Sequence, residues 1–231
     1  VLNQLRRDAL AQLEQQMLSG FVREEAEYKE RNDICKLDED GNNFENMTII
    51  CSCETRAQLK MILEQGKFVD IIYVDAHMYE RESFIEELEG DVVKIHQTGK
   101  KVYLKYPAIF RADSSKFFGE IKSGINNCGL DGVVVKNYEE LSFVKNMIPD
   151  KPVIIDHSLY TYNDYAKHAF AEFDIARDTI PLELNQKEIR RRDNVNSEMV
   201  VYGYYPLMTT AGCVHKNTVS CDKKSQITYL K

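Results

Sequence analysis

The sequence lacks the features that mark several classes of protein. It contains no apolar run long enough to span a membrane and no signal-peptide pattern. Its six cysteines are too few and too scattered for a disulfide-dense secreted scaffold. We therefore expect a cytoplasmic protein that has no membrane partner and whose thiols are free or bind metal.

Three catalytic or binding motifs are also missing. No G-x-S-x-G nucleophile elbow, no H-E-x-x-H zinc helix and no glycine-rich phosphate loop after a strand is present. Acidic residues near Gly41 form the run DEDGNN, which lacks the alternating ligand spacing of a calcium loop. Serine hydrolysis, zinc hydrolysis and dinucleotide binding therefore have no support from motifs.

What is present is an ordinary globular composition with an acidic balance. Of the 231 residues, 43% are hydrophobic and 29% are charged, which suits one large α/β domain with a sizeable core. The formal net charge of −7 argues against attraction of nucleic acid by the whole surface, although a local basic patch remains open. Much of the negative charge lies between residues 19 and 46.

The chain divides by pattern into an N-terminal extension and a repeating unit. Leu2, Leu5, Ala9, Leu13 and Met17 recur at helical spacing, so we predict an amphipathic helix over Asn3–Leu18 that packs on another element. Residues 1–46 are predicted to be this helix and an acidic linker. Residues 47–231 are predicted to form the main domain, as a fragment of a longer chain.

In the main domain, short β-branched runs alternate with helical segments. The predicted strands are Thr48–Cys51, Ile71–Val74, Val102–Lys105, Gly132–Val135, Pro152–Ile155, Thr179–Leu182 and Met199–Tyr202. The predicted helices between them are Thr55–Gln65, Arg81–Glu89, Ser114–Asn126, Tyr138–Met147, Tyr162–Ala171 and Gln186–Arg192. This rhythm indicates buried parallel strands and a TIM-like (β/α) barrel, complete or short by one strand, with a doubly wound open sheet as the alternative.

Ionisable groups follow most of these strands. Asp75, Lys105, Lys136, Asp156 and Glu183 each leave a strand in the same direction, so they should surround one mouth of the barrel. The lysines should pair with one of the carboxylates or serve an anionic ligand, because an unpaired ammonium there is costly. His157 follows Asp156 directly. Because adjacent strand residues point to opposite faces, we do not expect these two to form one hydrogen-bonded pair.

The stretch Ser197–Cys221 carries a more specific pattern. Glu198 precedes Gly203 by five residues, and Cys213 follows ten residues later, which resembles the signature of the collagenase-like peptidases, family thirty-two of unknown catalytic type. The runs IIDHSLYTYND (Ile154–Asp164) and IPLELN (Ile180–Asn185) are similar to late barrel strands of that family. One departure is Pro206, which stands where the signature usually has a cysteine.

The resemblance implies a barrel domain from a longer, bacterial-type family member, which in long members is the second barrel. Under that resemblance, the candidate residues fall into three groups. The catalytic candidates are Glu183, Glu198, Asp156 and Lys105. The substrate-binding candidates are Asp75, Lys136, Tyr160, Asn163, Tyr202 and Gly203, the last through close backbone approach. The metal-binding candidates are Cys213 and Cys221.

Three functions remain open from the sequence. The first is a peptidase-family domain that hydrolyses or binds a peptide or protein, and the second is an iron–sulfur-dependent hydroxylase that acts on RNA. The third is a non-catalytic barrel that binds a substrate or the neighbouring domains of its chain. An iron–sulfur cluster or another metal would need ligands from outside this fragment, because Cys213 and Cys221 supply two thiolates where a cluster requires four cysteines, and no cysteine follows Cys221.

Overall fold

The computed structural model describes residues 2–19, 47–206 and 208–212. The chain divides into two compact units, Val1–Glu39 and Asp40–Lys231. The first contains helix α1 (Leu2–Ser19), which agrees with the predicted helix to within one residue at each end. Apolar side chains along α1, such as Leu5, Leu13 and Met17, are exposed. The predicted domain boundary at residue 46 and the packing of this helix stay predictions.

The second unit contains a seven-stranded parallel sheet whose strands lie in sequence order. The strands are β1 (Ile50–Cys53), β2 (Ile71–Asp75), β3 (Lys101–Lys105), β4 (Gly132–Val135), β5 (Val153–Ile155), β6 (Arg177–Thr179) and β7 (Ser197–Glu198). Apolar residues fill both faces of the central strands, as parallel sheets covered by crossover helices require. The fold is an incomplete TIM-like barrel, as predicted.

The last two strands lie earlier in the chain than the sequence predicts. Strand β6 ends at Thr179, two residues before Pro181, which has no N–H for the strand ladder. Strand β7 is the polar pair Ser197–Glu198, whereas the predicted run Met199–Tyr202 is exposed. The prediction required an apolar run, but this strand is held by polar contacts, since the Ser197 hydroxyl donates a 2.7 Å hydrogen bond to Asp178 Oδ1 on the neighbouring strand.

Helices follow the strands, and polar caps start several of them. They are α2 (Arg56–Gln65), α3 (Phe84–Gln97), α4 (Ala112–Glu120), α5 (Lys122–Asn127), α6 (Tyr138–Met147), α7 (Asp164–Ala171) and α8 (Gln186–Ile189). Thr55 and Asn185 form capping boxes, and Asn137 and Asn163 also accept backbone N–H groups. Helix α3 runs further than predicted, the predicted helix Ser114–Asn126 divides at Ile121, and α8 ends three residues early.

The core lies on both faces of the sheet. On the outer face, residues such as Val74, Leu104 and Val135 pack under the helices. On the inner face, a smaller cluster comprises Ile71, Tyr73, Tyr103, Val134 and Ile154. Because side chains alternate along a strand, the inner positions of each strand recur every second residue.

The sheet curls so that distant strands contact one another through its interior. Tyr73 on β2 donates a 2.5 Å hydrogen bond to Glu198 Oε1 on β7. The guanidinium of Arg177 on β6 lies 5.7 Å from the ring centroid of Tyr103 on β3. These contacts give the inner face the enclosed character of a barrel interior. None of the helices in the described part of the chain combines the length and hydropathy that crossing a membrane requires.

Candidate functional site at the strand ends

The candidate site is the strand-end mouth, which we define by Asp75, Lys105, Lys136 and Asp156. Asp75 pairs in register with Lys105, and both continue the inner-face alternation of Tyr73 and Tyr103. Lys136 and Asp156 lie two residues beyond the inner-face residues of β4 and β5. Four strands therefore bring two carboxylates and two ammonium groups to the same end of the barrel.

The four charged groups form two ion pairs that cross each other along the sheet. Lys136 Nζ lies 3.2 Å from Asp75 Oδ2, which joins β4 to β2, and Lys105 Nζ lies 3.2 Å from Asp156 Oδ2, which joins β3 to β5. Both carboxylates are buried and both lysines are partly buried. The expectation that each lysine pairs with a carboxylate is confirmed.

Each aspartate of the mouth also has a histidine side chain close to it. Asp75 accepts the backbone N–H of His77 at the start of a short 3₁₀ helix, Ala76–Met78, and its Oδ1 lies 2.7 Å from His77 Nδ1. Burial raises the pKa of Asp75, but the hydrogen bonds from His77 and the charge of Lys136 outweigh burial and lower the pKa to about 2. The same hydrogen bond raises the pKa of His77.

Asp156 also lies close to a histidine, although no hydrogen bond joins the two side chains, and only the predicted reason for their separation, strand alternation, is wrong. His157 Nε2 lies 3.1 Å from Asp156 Oδ1, although the two residues are adjacent. Strand β5 ends at Ile155, and Asp156 caps a 3₁₀ helix over His157–Leu159. Because the chain turns there, the strand alternation that separates neighbouring side chains no longer applies. The mouth therefore holds two Asp–His–Lys groups.

A further ionisable group, Glu140, was missed by the sequence reasoning. It lies in the first turn of α6 and is fully buried. Its carboxylate accepts the backbone N–H of Lys136 at 2.6 Å and the side-chain amide of Asn137 at 2.8 Å. Burial raises the pKa of Glu140 to about 7, against the opposing effect of these donors and of the Lys136 charge. The pattern N-x-x-E at the start of a predicted helix, a capping signal, could have indicated it.

Glu198, a catalytic candidate, lies deeper in the barrel than the mouth. It contacts Arg177 Nε at 3.2 Å in addition to Tyr73, which is the inner-face residue that precedes Asp75 by two positions. Burial raises the pKa of Glu198, partly offset by Tyr73 and Arg177. Glu198 therefore connects strands across the interior, and a catalytic role for it stays a prediction.

The remaining candidates are more exposed. Tyr160 has a left-handed backbone, with φ of 56°, and its ring stacks on that of Tyr162 at a centroid distance of 5.5 Å. Tyr205 lies 5.8 Å from the ring of His157. Glu183 is exposed. The pKa values of Tyr162 and Tyr205 are raised, first by partial desolvation of their hydroxyls and second by the negative charge of Glu183. These side chains form a tyrosine rim beside the mouth, defined by Tyr160, Tyr162 and Tyr205.

Three predicted substrate-binding residues have other surroundings. Asn163 caps α7 by accepting the Ala166 N–H at 2.9 Å. Tyr202 is 95% exposed. Among the described residues, close backbone approach at Gly203 is not seen, since none of their atoms lies within 4 Å of the position that a Cβ would take. The structure instead shows a φ of 156° at Gly203, which side-chain-bearing residues rarely adopt.

The predicted metal ligands Cys213 and Cys221 lie outside the described residues. Within the described ranges, no group of three or more His, Cys, Asp or Glu residues has the arrangement of a metal site. Burial raises the pKa of Cys53 to about 12, and burial also raises the pKa of Cys128. The thiols of Cys53 and Cys128 are therefore protonated at neutral pH and poorly suited to be cluster ligands.

The fold and the mouth define a class of protein, an incomplete TIM-like barrel with ionisable groups at the carboxyl ends of its strands. The chain belongs to peptidase family U32, whose sequence model matches residues 55–226. This match confirms the resemblance seen in the sequence. No curated protein matches the chain significantly.

Solved structures resemble the chain only distantly. The muconate lactonizing enzyme of Klebsiella pneumoniae is 8% identical with a TM-score of 0.40, over 58% of this chain and 36% of that structure. The thiamine phosphate pyrophosphorylase of Pyrococcus furiosus is 10% identical with a TM-score of 0.40, over 61% of this chain and 63% of that structure. The chain thus spans less than two thirds of either structure.

Proposed function

We propose that this domain binds a peptide segment of a protein substrate at the strand-end mouth. The observation that carries the proposal is the crossed pair of ion pairs, Asp75 with Lys136 and Asp156 with Lys105. Buried ion pairs are weak contributors to stability because desolvation offsets their attraction. These four charged groups lie at the end of the barrel where ligands bind in TIM-like folds, so ligand binding explains their presence better than stability does.

A peptide matches this mouth in both charge and shape. Its carbonyl oxygens and acidic side chains can accept hydrogen bonds from Lys105 and Lys136, while its N–H groups and basic side chains can donate to Asp75 and Asp156. The tyrosine rim adds ring faces for apolar side chains. Because the lysines are matched by carboxylates, the mouth has no excess of positive charge, and RNA, which needs such an excess, is supported less well.

Cleavage by the domain alone is not part of the proposal. His157 Nε2 lies 3.1 Å from Asp156 Oδ1 and could act as a general base, but an activated nucleophile beside it is not found among the described side chains. The hydroxyl of Ser158 donates to the Lys136 carbonyl at 2.7 Å, and the Cys53 thiol is held protonated. We therefore expect binding without hydrolysis.

The test is a binding titration with fluorescently labelled peptides from denatured collagen, followed by fluorescence anisotropy. We expect saturable binding that weakens at least tenfold in the double variant Lys105→Met/Asp156→Asn, which removes both partners and so leaves no buried charge unpaired. Lys116→Met, at an exposed position on α4, is the matched control and should bind as the wild type does.

Two results would overturn the proposal. One is the absence of saturable binding by any labelled peptide, and the other is equal affinity in the double variant and the wild type. Release of peptide fragments by the highly purified domain, lost in the double variant, would replace binding alone by hydrolysis.

A further inference from the structure

Lys136, the residue that follows β4, is hydrogen-bonded at both its backbone N–H and its carbonyl. Its N–H donates to Glu140 Oε2 at 2.6 Å, and its carbonyl accepts the Ser158 hydroxyl at 2.7 Å. Its side chain then extends to Asp75. The direction in which this ammonium group enters the mouth is therefore set by two neighbouring segments, the first turn of α6 and the turn after β5.

Glu140 is the ionisable member of this arrangement. Both of its carboxylate oxygens face N–H donors, one from the Lys136 backbone and one from the Asn137 side chain. A carboxylate accepts two such bonds, whereas a carboxylic acid would turn one O–H toward a donor and lose a bond. Protonation of Glu140 therefore releases part of the hold on the 136–137 turn.

We infer that Glu140 is a positioning residue for the mouth, whose ionised form fixes Lys136 for ligand binding and whose protonated form loosens it. Full burial of the carboxyl group and two hydrogen bonds to the turn carry the inference. Glu140 contacts the mouth only at the Lys136 backbone and acts through that residue rather than on a ligand directly. The inference concerns the proposed binding site and rests on that proposal for its effect on affinity.

The charged and titratable groups around Glu140 come from three strand ends. They are Lys136 after β4, Asp156 after β5 and Tyr106 after β3. Burial raises the pKa of Glu140 to about 7, so the change in its charge falls in the neutral range. Burial raises the pKa of Tyr106, which stays neutral there. His77 is the other group near Lys136 whose titration must be separated from that of Glu140.

The experiment follows the backbone amide of Lys136 and the side-chain amide of Asn137 by ¹⁵N NMR between pH 5.5 and 8.5. We expect both signals to shift with one common midpoint near 7, and the shift to vanish in Glu140→Gln, which keeps an acceptor oxygen but does not titrate. Glu139→Gln, at the exposed neighbouring position, is the matched control and should keep the shift. His77→Gln should keep it as well, since the shift is assigned to Glu140.

If Glu140→Gln does not fold, the ¹³C carboxyl signal of Glu140 in the wild type provides the same test, because it must titrate with the midpoint of the Lys136 amide. A Lys136 amide that shows no step, or a step that survives in Glu140→Gln or disappears in His77→Gln, would overturn the inference. With the labelled peptide, lowering the pH from 8 to 6 should weaken binding about fivefold, the effect of about one hydrogen bond, in the wild type but not in Glu140→Gln.

The two measurements fail separately. Absence of peptide binding with an intact Lys136 step would refute the proposed function and leave the coupling of Glu140 to Lys136 in place. Peptide binding without a Lys136 step would do the reverse.

Discussion

Substitution of Arg192 tests whether a buried polar network holds the last strands in place. Arg192 is 3% exposed and donates from Nε to the Thr161 carbonyl at 2.7 Å, from one terminal nitrogen to Asp178, and from the other to Ser197 Oγ at 3.0 Å. It thus joins the turn after β5 to strands β6 and β7. Arg192→Met keeps most of the side-chain volume but leaves the buried Asp178 carboxylate without its main partner.

Loss of one partner of a buried ion pair costs about 3–5 kcal/mol. Lys167 Nζ lies 3.6 Å from the other oxygen of Asp178 and still offsets its charge, so we expect the lower end, about 3 kcal/mol. In urea unfolding with a slope of about 2 kcal/mol per molar, the midpoint should fall by about 1.5 M.

The matched control is Arg191→Met, an exposed neighbour that should change the midpoint by less than about 0.3 M, consistent with the small effects of surface substitutions. In an Asp178→Asn background, Arg192→Met should cost clearly less, because no buried charge is then left unpaired. A loss below about 1 kcal/mol in the single variant, or equal losses in both backgrounds, would refute this account of the network.

Other predictions concern packing and pH. Gly132→Ala should destabilise the domain by about 2–3 kcal/mol, because the added Cβ would lie 2.3 Å from a ring carbon of Tyr103, whereas Gly119→Ala, with open space around it, should stabilise it by about 0.5–1 kcal/mol; thermal unfolding of both variants decides. The pKa of Asp75 falls from 3.8 to about 2 on folding, so its contribution of about 2 kcal/mol is present above pH 3.8 and is lost toward pH 2; an Asp75→Asn variant with the same acid dependence would contradict this. Glu140 has the opposite sign, since its pKa rises from 4.5 to about 7 on folding. As the pH rises from 4.5 to above 7, the wild type should therefore lose roughly 3 kcal/mol of stability that Glu140→Gln does not lose, measured by urea unfolding at each pH.

The sequence was sufficient for the parts of the fold that depend on repeated local patterns. The apolar runs of β2 to β5 predict their strands to within about one residue, because burial on both faces requires continuous apolar residues. The positions of Asp75, Lys105, Lys136 and Asp156 then follow from strand direction alone, since parallel strands bring their carboxyl ends to one side.

The parts that failed depend on contacts between residues far apart in the chain. Strand β7 is polar, and its burial rests on partners such as Tyr73, which precedes Glu198 by 125 residues. A short sequence pattern cannot reveal a contact between residues so far apart in the chain. The closeness of Asp156 and His157 depends on the chain turning into a 3₁₀ helix directly after β5, and the buried state of Glu140 depends on how α6 packs against the sheet. Each is a tertiary effect that local propensity does not determine.

The crossed connection of the two ion pairs has a consequence for how this family can vary. Lys136 and Asp75 are 61 positions apart and belong to strands that are not neighbours, and the same holds for the strands of Lys105 and Asp156. A single substitution at any of the four positions leaves the charged partner on a distant strand unpaired. The neighbouring charged residue in the sheet cannot replace the lost partner, because it already forms the other ion pair. Among natural variants, these four positions should therefore change as two separate correlated pairs, 75 with 136 and 105 with 156, and correlation between the sheet neighbours 75 and 105 should be weaker.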